Sequence, residues 1–256
     1  LVSGPEPRGS DIQSSRKVEK RRKSGPRQRS TSAGPRRMEV PSYRLPGDGK
    51  RATERPTVLL AYCHPGLVRH EFMRSILGLL QYEDRQYDIG LSDAFTGPLI
   101  SRARCMISET FLATDKFSHL LFIDSDIGFQ PSDLDTLLEL DKPIVGALYY
   151  GVHTKDYSLF PTALVHNGED YVAMEEVPET GTHEVDGIGM GFTLIKREVM
   201  EAVGADANQL IPFAEAVIDG KCMGEDLTFC LRAKEKGYST WLAAEVRVGH
   251  MKTVMV

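Results

Sequence analysis

Three short apolar runs set the frame for what this chain can fold into: TVLLAYC (57–63), HLLFID (119–124) and PIVGALYY (143–150). Each has the length and β-branched character of a buried strand. Between them lie stretches of helical period. VRHEFMRSILGLLQY (68–82) sets Phe72, Ile76, Leu79 and Leu80 on one side. LISRARCMISETFLAT (99–114) follows a loop containing Thr96-Gly97-Pro98, and PSDLDTLLEL (131–140) opens at Pro131 or Ser132, both apt for a first helical turn. Strand, helix, strand, helix, strand predicts an α/β domain with a largely parallel central sheet.

The second half is less regular. TALVHNG and DYVAMEEV (162–168 and 170–177) read as an antiparallel hairpin around Asn167-Gly168. VDGIGMGFTLIKREVMEAVG (185–204) reads as a Gly-rich loop, a strand at Phe192–Ile195 and a helix closed by Gly204. GEDLTFCLRAKEKG (224–237) is a helix stopped by Gly237, and STWLAAEVRVGH (239–250) a last strand leading to His250.

The net charge of −5 conceals two unlike regions. Residues 1–57 hold 15 Lys/Arg against 6 Asp/Glu, a net of +9, and the remainder carries −14. The basic part is rich in Ser, Gly and Pro and has no sustained periodicity, so it cannot bury enough apolar area to offset its ordering entropy. The expected organisation is a mostly disordered tail, 1–56, ahead of one folded domain, 57–256. The core of the tail, RKVEKRRKSGPRQRS, suits a polyanion such as DNA; the alternatives are a solvated arm or sequence upstream of a natural start at Met38. No apolar run approaches the roughly 20 residues of a membrane span, and the N-terminus lacks the apolar core of a secretory signal. Cys63, Cys105, Cys222 and Cys230 form no CxxC pair. A reduced, cytoplasmic protein with buried thiols and no membrane span is the expectation.

Chemistry concentrates at three places. HLLFIDSDIGF (119–129) ends an apolar strand in Asp124-Ser125-Asp126. Ligands of open α/β sheets bind at the carboxyl ends of strands, and two hard oxygen ligands suit Mg²⁺ or Mn²⁺ beside a diphosphate; a simple turn after the strand is the alternative. Gly224-Glu225-Asp226 opens a helix, where carboxylates serve either as a cap or as a base projecting into a cleft. His250 follows a strand and Gly249, with Lys252 two residues on; imidazole is a candidate ligand and the ammonium a candidate phosphate contact.

In order and rough spacing, apolar strand–DSD, the D-G-I-G-M-G loop, G-E-D on a helix and a late G-H resemble the GT-A glycosyltransferases. The match is closest to the inverting family-two-like group with its bacterial and phage-encoded members, and it covers about residues 57–252. The resemblance implies a GT-A domain that moves a sugar from a nucleoside-diphosphate donor, a UDP- or GDP-sugar, to an acceptor hydroxyl with Mn²⁺ or Mg²⁺ as cofactor. It implies Asp124, Asp126 and His250 at the metal, with Asp126 the direct ligand and Asp124 nearer the ribose or sugar. Asp226 would be the general base with Glu225 beside it. Ala61, Tyr62, His64, Ser125, Lys252 and Arg102 or Arg104 would lie at the nucleotide and donor; Cys105 stands where the A-R-N-like segment has Asn. Gly187, Gly189, Met190 and Gly191 would form the loop under donor and acceptor. The acceptor would be a glycan, a protein or a hydroxymethylated DNA base, the last reached through the tail, and a phage-encoded enzyme would act in the host cytoplasm. Two other classes fit the same residues: a nucleotidyltransferase, whose Gly-rich basic phosphate loop is missing here, and a non-catalytic module on the same scaffold.

Overall fold

The computed structural model describes residues 55–97, 99–204 and 211–253. Residues 1–54 of the expected tail lie outside them. The centre is a seven-stranded sheet made of β1 (Thr57–His64), β2 (Asp88–Phe95), β3 (His119–Asp124), β4 (Ile144–Leu148), β5 (Thr182–Val185), β6 (Phe192–Lys196) and β7 (Thr240–Arg247). Across the sheet the order is β5-β7-β4-β6-β3-β1-β2. β1 pairs in parallel with β2 and β3, and β7 with β4. β6 runs antiparallel between β3 and β4, and β5 antiparallel on β7. The sheet is therefore mixed but mainly parallel, as the strand–helix alternation predicts.

The central runs are continuous in apolar character because both faces are covered. Leu120 and Phe122 of β3 point to one side with Leu59, Ala61 and Cys63 of β1; Leu121 and Ile123 point to the other with Val58 and Leu60. Helices α2 (Ile100–Leu112), α4 (Arg197–Gly204) and α5 (Glu225–Glu235) cover the first side through Ile107, Phe111, Met200 and Phe229. Helices α1 (His70–Gln81) and α3 (Pro131–Glu139) cover the second through Phe72, Ile76, Leu79, Leu134 and Leu137. Pro131 sits in the first turn of α3, and the Gln130 N–H is capped by Asp133 Oδ2 at 2.7 Å. Gly237, at φ +90°, ends α5 in the left-handed region.

Several elements differ from the sequence reading. The segment 88–95 was not expected to be a strand, yet it forms the edge strand β2. PIVGALYY is not one strand: after Leu148 the chain leaves the sheet, and Tyr150–Val152 pairs with Leu159–Pro161. STWLAAEVRVGH divides as well, with an irregularity in β7 between Ala243 and Arg247 and a separate pairing of Gly249–His250 with Ile127–Gly128. The expected hairpin is Ala163–His166 against Tyr171–Ala173. A second, unforeseen hairpin, Ala216–Ile218 against Lys221–Met223, leads directly to α5. Three thiols are buried, but Cys222 is exposed on that hairpin. Among the described residues no helix is long and apolar enough to cross a membrane.

Candidate active site

The reversed strand β6 determines what meets at the rim. Its first residue, Phe192, stands opposite Ile123, so the loop before β6 arrives where β3 ends. There the Asp124 N–H donates to the Gly191 carbonyl at 2.9 Å. The Asp124-Ser125-Asp126 turn is fixed from two other directions: the Arg69 N–H donates to the Ser125 carbonyl at 2.8 Å, and the Met251 N–H to the Asp126 carbonyl at 2.9 Å.

The two carboxylates then part company. Asp124 Oδ1 accepts from Arg104 Nη2 at 3.2 Å. Arg104 Nη1 donates to Glu225 Oε1 at 2.6 Å and to Asp226 Oδ1. The guanidinium is 2% exposed, against 25%, 15% and 30% for the Asp124, Glu225 and Asp226 side chains, so it lies beneath the acids. Asp226 Oδ2 also accepts the Met190 N–H at 3.1 Å. Burial pushes the Asp226 carboxyl up; Arg104 opposes the rise, and the charges of Glu225 and Asp124 add to it.

Asp126 faces a second cluster. Its Oδ2 lies 2.9 Å from Lys252 Nζ and 3.4 Å from His250 Nε2. Burial alone would raise this carboxyl, but the His250 and Lys252 contacts outweigh it and hold it at about 2. His250 Nδ1 is 2.8 Å from the Tyr150 carbonyl. A carbonyl only accepts, so Nδ1 carries a proton, and Nε2 is the ring nitrogen that faces Asp126. Nε2 is buried and has no hydrogen-bond partner. A carboxylate and an unpartnered imidazole nitrogen side by side fit two positions around a divalent cation. Asp124, turned to Arg104, is not part of that pair, and among the described residues no three His, Cys, Asp or Glu side chains gather as a metal-binding group.

The other residues expected at the site fall into three groups. On the floor, Gly187-Ile188 pairs with Ala163-Leu164, the Gly189 N–H donates to the Thr162 carbonyl at 2.9 Å, and Met190 is fully buried. The Gly191 N–H donates to the Tyr149 hydroxyl at 2.9 Å, and the Tyr149 ring stands edge-on to His250 at 5.2 Å. On the nucleotide side, Ala61 is sealed in the sheet at 0% exposure and offers a ligand no surface. Tyr62 packs on Phe72, with ring centroids 5.0 Å apart. His64 Nδ1 accepts the Gly66 N–H at 3.0 Å, which fixes the proton on Nε2, donated to Asp93 Oδ2 at 3.0 Å. Asp93 lies on β2 and was missed with that strand. The two arginines separate on opposite faces of α2: Arg104 is buried in the acid cluster, while Arg102 is exposed and lines a cavity of about 430 Å³ with Leu99, Cys105, Ile211 and Glu215.

No protein-family model matches this sequence, and no curated protein does. Solved structures do. A structure of A197 from STIV aligns with a TM-score of 0.52 at 20% identity, over 77% of this chain and 86% of that one. A structure of GalNAc-T7 with UDP, GalNAc and Mn²⁺ aligns with a TM-score of 0.54 at 12% identity, over 77% of this chain and 43% of that one. At these identities the likeness is one of fold, and the fold is of the GT-A type.

Proposed function

We propose that this chain is a divalent-metal-dependent glycosyltransferase that moves a sugar from a nucleoside-diphosphate donor to an acceptor hydroxyl with inversion. The observation that carries the reading is the division of the rim into two acidic poles on a GT-A scaffold, Asp126 with His250 at one and Asp226 with Glu225 at the other. Glycosyl transfer needs both: one pole for the departing diphosphate and one for the acceptor proton.

Asp126 Oδ2 and His250 Nε2 would hold the cation, Mn²⁺ or Mg²⁺, with further positions left to the donor. A cation bound there supplies Lewis-acid stabilisation of the negative charge that builds on the leaving diphosphate. Lys252, already at the Asp126 carboxylate, is within reach to pair with a phosphate oxygen. Asp124 is held through Oδ1, leaving Oδ2 to accept from a ribose or sugar hydroxyl. Asp226, the most exposed of the three acids around Arg104, takes the acceptor proton as the acceptor oxygen attacks the anomeric carbon, and the diphosphate leaves from the opposite face. Its raised affinity for a proton matches that task. Both carboxylates at this pole are engaged by Arg104, and the nearby Cys63 thiol is pushed up to about 12 by burial, so among the described residues none of these is set free as a nucleophile. A single displacement is the economical course. The UDP and Mn²⁺ bound in the GalNAc-T7 structure support trying UDP-sugars first.

The test is thermal denaturation with UDP- and GDP-sugars, with and without Mn²⁺, in the wild type and Asp126→Ala. A stabilisation that needs both donor and metal and disappears in the variant is expected, since a ligand that binds only the folded state raises apparent stability. An undiminished shift in Asp126→Ala would remove the metal pole. Release of pyrophosphate in place of a nucleoside diphosphate would indicate nucleotidyl transfer, and product NMR showing retained anomeric configuration would overturn the single displacement.

A further inference from the structure

We infer that Arg104 is a positioning residue of the transfer reaction: it sets the direction and spacing between the donor-side carboxylate Asp124 and the acceptor-side pair Glu225 and Asp226, and does not contact the donor. This inference rests on the glycosyl-transfer reading above and assigns the residue a part that the motif resemblance does not give it.

Three observations carry it. First, access is wrong for a donor contact: the Arg104 side chain is 2% exposed, while those of its three carboxylate partners are 15–30% exposed. The acids offer surface to an entering ligand and the arginine offers almost none. Second, the bonding is divided. Nη2 serves Asp124 at the end of β3, while Nη1 serves Glu225 and Asp226 at the start of α5. The planar fork thereby ties into one geometry two elements that lie 20 and 122 residues from Arg104 and 102 residues from each other. A lysine delivers a point charge but no such fixed angle. Third, the arginine is poorly served by its burial. Its Nε has no hydrogen-bond partner, and the residues buried with it on α2 are Ala103, Cys105, Ile107, Phe111 and Ser108, whose hydroxyl donates to the Arg104 backbone carbonyl and not to its side chain. A buried ion cluster with an orphaned donor is an expensive way to gain stability, and packing alone would be met by an apolar residue. Both acids are also tied to the floor loop, Asp124 through its own N–H to Gly191 and Asp226 through the Met190 N–H. Arg104 closes that frame from below.

The experiment compares wild type, Arg104→Lys and Arg104→Ala, using the UDP- or GDP-sugar that stabilises the wild type. Donor affinity is read by calorimetry with Mn²⁺ present, and turnover by release of the nucleoside diphosphate on transfer to water. In both variants kcat is expected to fall by about 100-fold, the scale of a misplacement near one ångström, with donor affinity falling far less, by no more than the one hydrogen bond that Asp124 offers the donor. Added guanidinium is expected to restore turnover in Arg104→Ala and not in Arg104→Lys. Arg104→Lys keeps the charge that holds three acids together, so it gives a readout even where Arg104→Ala does not fold. Loss of donor affinity in step with kcat would make Arg104 a donor contact, and wild-type kcat in Arg104→Lys would reduce it to a counter-charge; either overturns the inference while leaving glycosyl transfer intact. A wild type that binds no nucleotide sugar and releases no nucleotide would overturn the underlying reading instead.

Discussion

The Tyr149 hydroxyl accepts the Gly191 N–H at 2.9 Å at the point where the floor loop turns into β6. The space is so close that a Cβ added at Gly191 would lie 2.7 Å from that hydroxyl and 3.2 Å from Asp124 Oδ2. Burial raises the Tyr149 hydroxyl well above its usual value, so it stays protonated across the working range. Gly191→Ala is therefore expected to destabilise the fold by about 1–3 kcal/mol through overpacking. Tyr149→Phe is expected to cost a similar ~1–3 kcal/mol by leaving the Gly191 N–H without an acceptor. Urea unfolding of both variants checks this, and coincidence with wild type would contradict it.

Asp226→Asn is expected to lower transfer by about 10²–10⁴-fold, the usual worth of a general base, with a melting curve close to wild type. The pH dependence follows from the raised carboxyl, whose causes are burial and then the neighbouring charges against Arg104. The base works ionised, so activity is lost as pH falls through its pKa. The acid limb should then lie above the ordinary Asp value of about 3.9. A kcat/KM profile flat down to that value would contradict the assignment.

Lys252 Nζ sits at 2.9 Å from the carboxylate that a cation would share with His250. An ammonium and a divalent cation compete for that oxygen. Lys252→Met should bind Mn²⁺ alone about two- to fivefold more tightly, the worth of a part-exposed ion pair. The same variant should bind UDP with Mn²⁺ more weakly, because a phosphate partner is gone. Mn²⁺ titration by electron paramagnetic resonance separates the two effects.

A pH effect on stability is expected far from the site. Burial, with Lys196 adding to it and Asp141 opposing it, lowers the His119 imidazole to about 4. In the unfolded chain it titrates near 6.5, so between those values the unfolded state binds the extra proton. Stability from this residue is complete above about 6.5 and is lost as pH falls toward 4. Urea midpoints over that window should decline less steeply in His119→Asn than in wild type.

The central strands and most helices were legible because their periodicity is strong and both sheet faces are buried. β2 was not. DIGLSDAF carries Gly, two Asp and Ser, residues that strands disfavour, and as an edge strand it buries only Ser92 and Ala94. With it went Asp93 and the His64 pairing. The acid motifs were visible as letters, but which carboxylate faces which partner is a tertiary matter. Asp124 and Asp126 are two residues apart and were grouped as one pair, yet one turns to Arg104 and the other to His250 and Lys252. Nothing in S-R-A-R told Arg102 from Arg104; the burial of α2 against the sheet decides it.

The reversed placement of β6 also bears on the order in which this protein can become competent. β3 gains its second neighbour only when residues 192–196 insert, and Asp126 meets Lys252 across 126 residues of chain. Contacts of such separation form slowly, since loop closure must precede their reward. During synthesis, β1, β2 and β3 can pair early and present Asp124 and Asp126, but the floor, the acid cluster over Arg104 and the imidazole arrive in turn from the second half. A nascent chain that ends before residue 240 holds Asp124, Asp126 and Asp226 and none of β7, His250 or Lys252, so competence is expected to switch on only once residues 240–252 have been translated.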